Sequence, residues 1–421
     1  MMFTKEKIAQ RYPALASRDF TIFWIGQFVS LIGTWMQTTT QPYLAYRLSG
    51  KPFDLGLIGF ASALPTLILA LPGGVLVERL DKRKTVIAMQ VVMMVQAFAL
   101  AFLALTGLIQ IWHIAALAFL LGTANAIEIT ARQAMLVELV GKDALPNAIA
   151  LQSTIFNAAR VIGPSLVAPF LILIKGSGEG WAFLANAISY LAIIVSLYFV
   201  QTPFKKAPER VSHDWLAEFS EGLAYIRRNR SVAMIIVMAA VFGLVGFPLL
   251  QQIPVIARDV LSQGSLDSEA ARAARNSALY TAQGVGALVA AFALASFNPK
   301  RKGRLLAIGQ AIFITGLLAV SFTRNLPLAL VIFVLIGWGS ITSLATMNTL
   351  IQLEVPDALR GRVFSTYLWG LQGIAPFGSL MVGWLAQGWG VPFAALVCGL
   401  ICLVVIGGIH LFNPEIKATI A

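Results

Sequence analysis

The chain has 421 residues, 58% of them hydrophobic and 12% charged, with a formal net charge of +12. A soluble globular chain carries about 25% charged residues, so this composition excludes a soluble domain and implies an integral membrane protein. The cations sit between apolar runs and form no basic domain, which argues against nucleic-acid binding. The two cysteines, Cys398 and Cys402, share the last apolar run and make neither a CxxC nor a zinc spacing.

Apolar runs of roughly 20 residues, the length that crosses a hydrocarbon core, predict twelve spans in two sixes. They are 20–46, 54–77, 85–106, 111–135, 146–174 and 181–201, then 232–257, 275–297, 304–323, 327–352, 359–387 and 391–412. Runs this long are not barrel strands, and helices satisfy their own backbone in lipid, so the expected class is an all-α membrane protein. The first run follows Lys5, Lys7, Arg11 and Arg18 without a small-residue cleavage site, which predicts a retained span. The N-terminus, Arg79 to Lys84, Lys142, the stretch from Lys205 to Arg230, Lys300 to Arg304, and Arg360 with Arg362 fall on one side. By the positive-inside rule that side is the cytoplasm and holds both termini. On the other side, Arg258, Arg272 and Arg275 are balanced by Asp259, Asp267 and Glu269.

The longest connection carries Trp215, Leu216, Phe219, Leu223 and Ile226 at helical spacing with charges opposite, which predicts a helix lying along the membrane surface, either as a packed linker or as a regulatory site. The expected domains are an N-terminal six-helix half over 1–204, a cytoplasmic linker with this amphipathic helix over 205–231, and a C-terminal six-helix half over 232–421. An internal repeat supports the division. Leu136 to Leu145 precedes the fifth span as Leu350 to Leu359 precedes the eleventh, with Asp143 and Asp357 equivalent. Related halves imply a cavity between them.

The turn after the second span, Gly73 to Lys84, carries a family resemblance. The chain resembles a twelve-span major facilitator superfamily transporter over essentially its whole length. The family's turn reads Gly-x-Leu-Ala-Asp-Arg-x-Gly-Arg-Arg, and Gly74, Leu76, Arg79, Lys82 and Arg83 fit it; Glu78 replaces the usual aspartate and Asp81 the second glycine. Leu136 to Val140, Asn147 to Ser153 and Asn157 to Pro164 further resemble the transmembrane secretion effector group, which includes enterobactin-type siderophore exporters and macrolide efflux proteins. The resemblance implies that Glu78 meets the start of the eleventh span when the cytoplasmic side is closed. A helix N-terminus stabilises such a carboxylate. The implied gate comprises Gly74, Glu78, Arg79, Asp81, Arg83, Asp357, Arg360 and Arg362, while Lys82 to Lys84 read equally as solvated topogenic charges.

Ionisable groups inside spans are costly and face a cavity or a partner. In the fourth span Glu128, Arg132 one turn later and Asn125 share a face. Burial favours the neutral acid and an adjacent arginine the carboxylate, so a substrate that displaces Arg132 changes the protonation of Glu128. Glu128 is therefore the candidate proton carrier, with a static Glu128–Arg132 brace as the other reading. Arg160, in the fifth span, meets an anionic substrate, a carboxylate or helix carbonyls.

Gln27, Ser30, Thr34, Gln37, Thr38 and Gln41 make a polar stripe on the first span. The resemblance places that span beside a central cavity, so the stripe either binds ligand or holds helices together. Trp338, Ser340, Thr342, Thr346, Asn348 and Thr349 in the tenth span, Tyr367, Trp369 and Gln372 in the eleventh, Phe242 and Phe247 in the seventh, and Tyr280 with Gln283 in the eighth add aromatic and polar surface. Such a lining suits a sizeable, partly aromatic molecule; each aromatic taken alone reads equally as core or lipid-facing.

There is no GxxxxGK[ST] loop, no Gly-x-Ser-x-Gly elbow and no metal spacing among His113, His213 and His410. The expectation is a non-enzyme without cofactor or metal: a monomeric inner-membrane exporter of small organic molecules, siderophore- or drug-like, working by alternating access with proton antiport. Membrane lipids are its other partners. Lipid or lysophospholipid movement, and a transporter-like receptor that does not translocate, are the alternatives. Nothing in the spacing separates catecholate siderophores, macrolides, dyes and lipids.

Overall fold

The computed structural model describes residues 12–69, 80–174, 176–203, 215–262, 264, 267–297 and 301–412, without the side chains of 215–219 and 357–358. Its helices are α1 (Arg18–Ser49), α2 (Pro52–Leu69), α3 (Lys82–Leu105), a tract Ile111–Leu173 divided into α4 (111–140) and α5 (142–173), and α6 (Gly178–Phe199). There follow α7 (Trp215–Arg228), α8 (Arg230–Val260), α9 (Glu269–Phe297), α10 (Lys302–Phe322), α11 (Leu326–Glu354), α12 (357–389) and α13 (Val391–Phe412). Among the described residues nine tracts are long and apolar enough to cross a membrane, with α4 and α5 taken as one. Counting α4 and α5 separately, and adding polar α1 and α12, gives the expected twelve. A π-helical turn, Trp369–Gly373, interrupts α12.

Three local differences from the sequence reading have physical causes. The fourth and fifth spans were expected to be separated by a connection over 136–145, yet Gly141 alone of that stretch is non-helical and divides the two helices. Gly141 takes φ 73° and ψ 171° and absorbs the kink within one residue, a conformation that costs glycine little. The eighth span begins earlier than expected, at Glu269, so its charged first turns are helical. In α8, the π-helical turn Phe242–Gly246 precedes Pro248, whose missing N–H breaks the regular ladder.

The chain forms two compact units, one of residues 1–41 and 68–210, the other of 42–67 and 211–421. The boundary therefore falls within α1, beside Pro42, and again within α2. In lipid, helix association rests on close packing and interhelical hydrogen bonds, and small residues permit close approach. In the first unit Gly26 and Gly33 of α1 lie against Ser196 and Ser189 of α6, and Gly163 of α5 lies against Trp35 and the Ile32 carbonyl of α1. Phe20, Phe23, Ala131, Met135, Ile193 and Leu197 fill the core beside these crossings. In the second unit Gly56 of α2 abuts the Ser379 carbonyl and Gly383 of α12, and Gly309 of α10 meets Gly339 of α11.

Of the basic turn, Gly74, Glu78 and Arg79 lie outside the described residues. Asp81 caps α3, its carboxylate accepting from the Lys84 N–H at 3.0 Å. Lys82 pairs with Glu138 of α4, and an Arg83 Nη donates to the Tyr198 carbonyl of α6 at 2.9 Å. These two cations thus stitch three helices together, which corrects their reading as solvated charges; Lys84 is exposed. In the second unit Arg362 pairs with Glu221 of α7, and the Tyr225 hydroxyl donates to the Glu354 carbonyl at 3.2 Å. These contacts seat α7 on the α11–α12 junction, while Arg360 stays exposed and Asp357 begins α12.

A Cβ at position 56 would overlap backbone, whereas one on Gly361 would meet nothing within 4 Å. Gly56→Val should lower the apparent thermal midpoint of the purified protein. Gly361→Ala should leave it unchanged or raise it, because alanine is favoured in a helix by about 1 kcal/mol. Equal midpoints in a thermal-shift series would refute the close α2–α12 crossing.

Candidate functional site

Glu128 is buried on α4, its side chain 4% exposed. The i, i+4 spacing brings Arg132 onto the same face, where its Nε donates to both carboxylate oxygens at 3.0 and 3.3 Å. Gln90 of α3 adds a third contact, its amide donating to Glu128 Oε1 at 3.1 Å. Sequence reasoning missed Gln90, although a glutamine in the apolar third span was a readable signal. Asn125 is half-buried one turn earlier on α4.

The stripe on α1 leads into a network of neutral amides. The Gln37 amide donates to Gln41 at 3.1 Å and to Gln96 of α3 at 3.2 Å, and Asn186 of α6 donates to Gln37 Oε1 at 2.7 Å. Tyr190, also on α6, is buried. Thr34 and Thr38 also bond carbonyls one turn back on their own helix, and Gln27 is buried. Arg160 on α5 lies across the Trp35 ring at 4.8 Å.

The remaining candidates belong to the second unit. Tyr280, Thr342, Thr346 and Tyr367 are buried; Phe247, Gln283 and Trp338 are half-buried; Gln372 is exposed. Phe242 stacks on Phe313 of α10 with centroids 4.5 Å apart, and Thr342 packs beside Gly309. The Thr342 and Thr346 hydroxyls find no hydrogen-bond partner among the described residues.

The sequence profile of the transmembrane secretion effectors matches residues 9–419, nearly the whole chain. The chain belongs to that family. It is a multi-pass transporter of the major facilitator superfamily and not an enzyme. Among relatives of this secretion effector, the staphyloferrin A transporter of Staphylococcus aureus (strain NCTC 8325 / PS 47) is 25% identical over 407 residues, covering 95% of this chain and 96% of that one. The multidrug efflux pump Tap of Mycolicibacterium fortuitum is 22% identical, covering 89% and 91%. The nucleoside transporter NupG shares the fold with a TM-score of 0.67 at 12% identity, over 93% of this chain and 98% of its own.

This secretion effector also carries an ionic cluster at the corner between α8 and α9, whose charges the sequence reading used only for topology. Arg275, buried in α9, donates to Asp267 at 2.6 Å and to the Ala257 carbonyl at 2.8 Å, and Arg272 reaches Asp267 at 3.2 Å. Glu269 accepts from Arg258 at 2.9 Å and from the Tyr43 hydroxyl at 2.6 Å, while Tyr46 bonds Asp259. The last turns of α1 are thereby tied to this corner within the second unit.

Hydrogen bonding from Arg275 acts first, and with Arg272 it holds the Asp267 carboxyl below the usual carboxylate range against the effect of burial. A depressed carboxyl contributes stability that is present above its unfolded value, about 3.9, and is lost as pH falls through the folded one. Asp267→Asn should therefore lower the thermal midpoint at neutral pH, because it leaves Arg275 buried and unpaired. It should also flatten the acid limb of the midpoint's pH dependence. An unaltered acid limb in a pH series of thermal unfolding would remove Asp267 from this role.

Proposed function

We propose that the chain is a secondary active exporter of small organic molecules, siderophore- or drug-like, which works by alternating access and exchanges its cargo for protons. The observation that carries this reading is the buried Glu128, bound by Arg132 of its own helix and by Gln90 of α3. The printed functions of the relatives, staphyloferrin A transport and multidrug efflux, support cargo of this class. The protein would act as a monomer in the inner membrane with both termini in the cytoplasm, among lipids that contact its apolar spans.

In the proposed cycle a protonated Glu128 releases Arg132, and the freed guanidinium changes the local preference for cargo. Return of the carboxylate restores the pair. Proton and substrate then bias one conformational equilibrium in opposite directions, which is all that exchange requires. The domain division at 1–204, 205–231 and 232–421 and the gate at Glu78 belong to the same proposal, with Glu78 holding the cytoplasmic side shut.

Glu128→Gln keeps the shape and the amide contact but removes the titrating proton. In proteoliposomes under an imposed pH gradient it should abolish proton-linked flux while the purified variant unfolds within a few degrees of the wild type. Unchanged coupling would exclude Glu128 as the carrier. A large loss of thermal stability accompanied by gradient-independent transport would instead mark the pair as a brace.

A further inference from the structure

Arg160 is a half-buried cation that the proton cycle does not use. Its guanidinium makes no hydrogen bond or ion pair with any described residue, and its Nε is enclosed without a partner. What flanks it is aromatic: the Trp35 ring at 4.8 Å and the Phe156 ring at 5.5 Å, themselves edge to face with centroids 5.5 Å apart. By contrast Arg132 has Glu128 and Arg275 has Asp267. The slot is built rather than incidental. Gly163, one turn beyond Arg160, lets α5 press against the Ile32 carbonyl and Trp35, so the ring and the guanidinium are set by the same helix crossing.

Ring faces attract a cation but accept none of its N–H donors in the way an oxygen does. A guanidinium in a membrane span with five unused donors is held ready for an acceptor. Its planar fork matches the two oxygens of a carboxylate, and the flanking rings suit an apolar or aromatic body carrying that group. We propose that Arg160, between Trp35 and Phe156, recognises a carboxylate or a similar planar oxyanion on the cargo, so the exported molecules are organic anions. This rests on the exporter reading for the identity of the occupant, but binding at Arg160 requires neither a gradient nor Glu128.

The test is binding to the full chain purified in detergent, measured by calorimetry with aromatic carboxylates and their neutral amides, benzoate against benzamide and naphthoate against naphthamide. The wild type should prefer the carboxylate by about tenfold or more, the worth of one charged hydrogen-bonded pair. Arg160→Gln should lose the preference and Arg160→Lys should keep part of it. Both Arg160 variants should match the wild type in gel filtration. No carboxylate preference in the wild type, no binding of any of these compounds, or a preference that survives in Arg160→Gln would overturn the proposal. So would displacement of naphthoate by added phosphatidylglycerol but not by excess benzoate, which would assign the slot to a lipid headgroup. Failure of proton coupling with the Arg160 pattern intact would sink only the Glu128 mechanism.

Discussion

A bilayer offers no hydrogen-bond partners, so every polar group taken into a span must be met by the protein itself or by what it carries. That constraint orders this structure. Backbone groups are satisfied by helix, and helices that cannot gain from further dehydration are drawn together by close packing at glycines such as Gly26, Gly33, Gly56 and Gly309. Side-chain amides on α1, α3 and α6 satisfy one another. The few charges that enter are each distinguished by their company, a carboxylate for Arg132 and aromatic faces for Arg160.

How much of this was readable in advance depends on distance along the chain. Glu128 with Arg132 and Gln37 with Gln41 are one helical turn apart, and helix geometry alone brings them together. Gln90, Gln96 and Asn186 join them through the rotational setting of separate helices, which hydropathy does not encode. The twelve spans were legible because a hydrocarbon core imposes a length. The one-residue junction of α4 with α5 was not, since Gly141, Lys142 and Asp143 have the composition of a longer loop and only the dihedral angles show that Gly141 alone leaves the helix.

Two local signals were present and were read for other purposes. Asp81 was noted only as a departure from a family glycine, yet an aspartate before a helical run is a ready N-cap. The balanced acids and bases between the seventh and eighth spans looked like evidence of sidedness. Their pairing with Tyr43 and Tyr46 is tertiary, and it turns a charge count into a fastening for the end of α1. Lys82 and Arg83 show the same thing on the other unit's scale: a topogenic charge, once inserted, is free to become a structural one.

The amide network around Gln37 has a consequence for how the protein tolerates its surroundings. Asparagine and glutamine hold the same charge at every pH a cell meets, so bonds among Gln37, Gln41, Gln96 and Asn186 neither tighten nor loosen when protons arrive. A frame held by carboxylates would tighten or loosen with acidity. Neutral glue leaves the packing of α1, α3 and α6 indifferent to acidity.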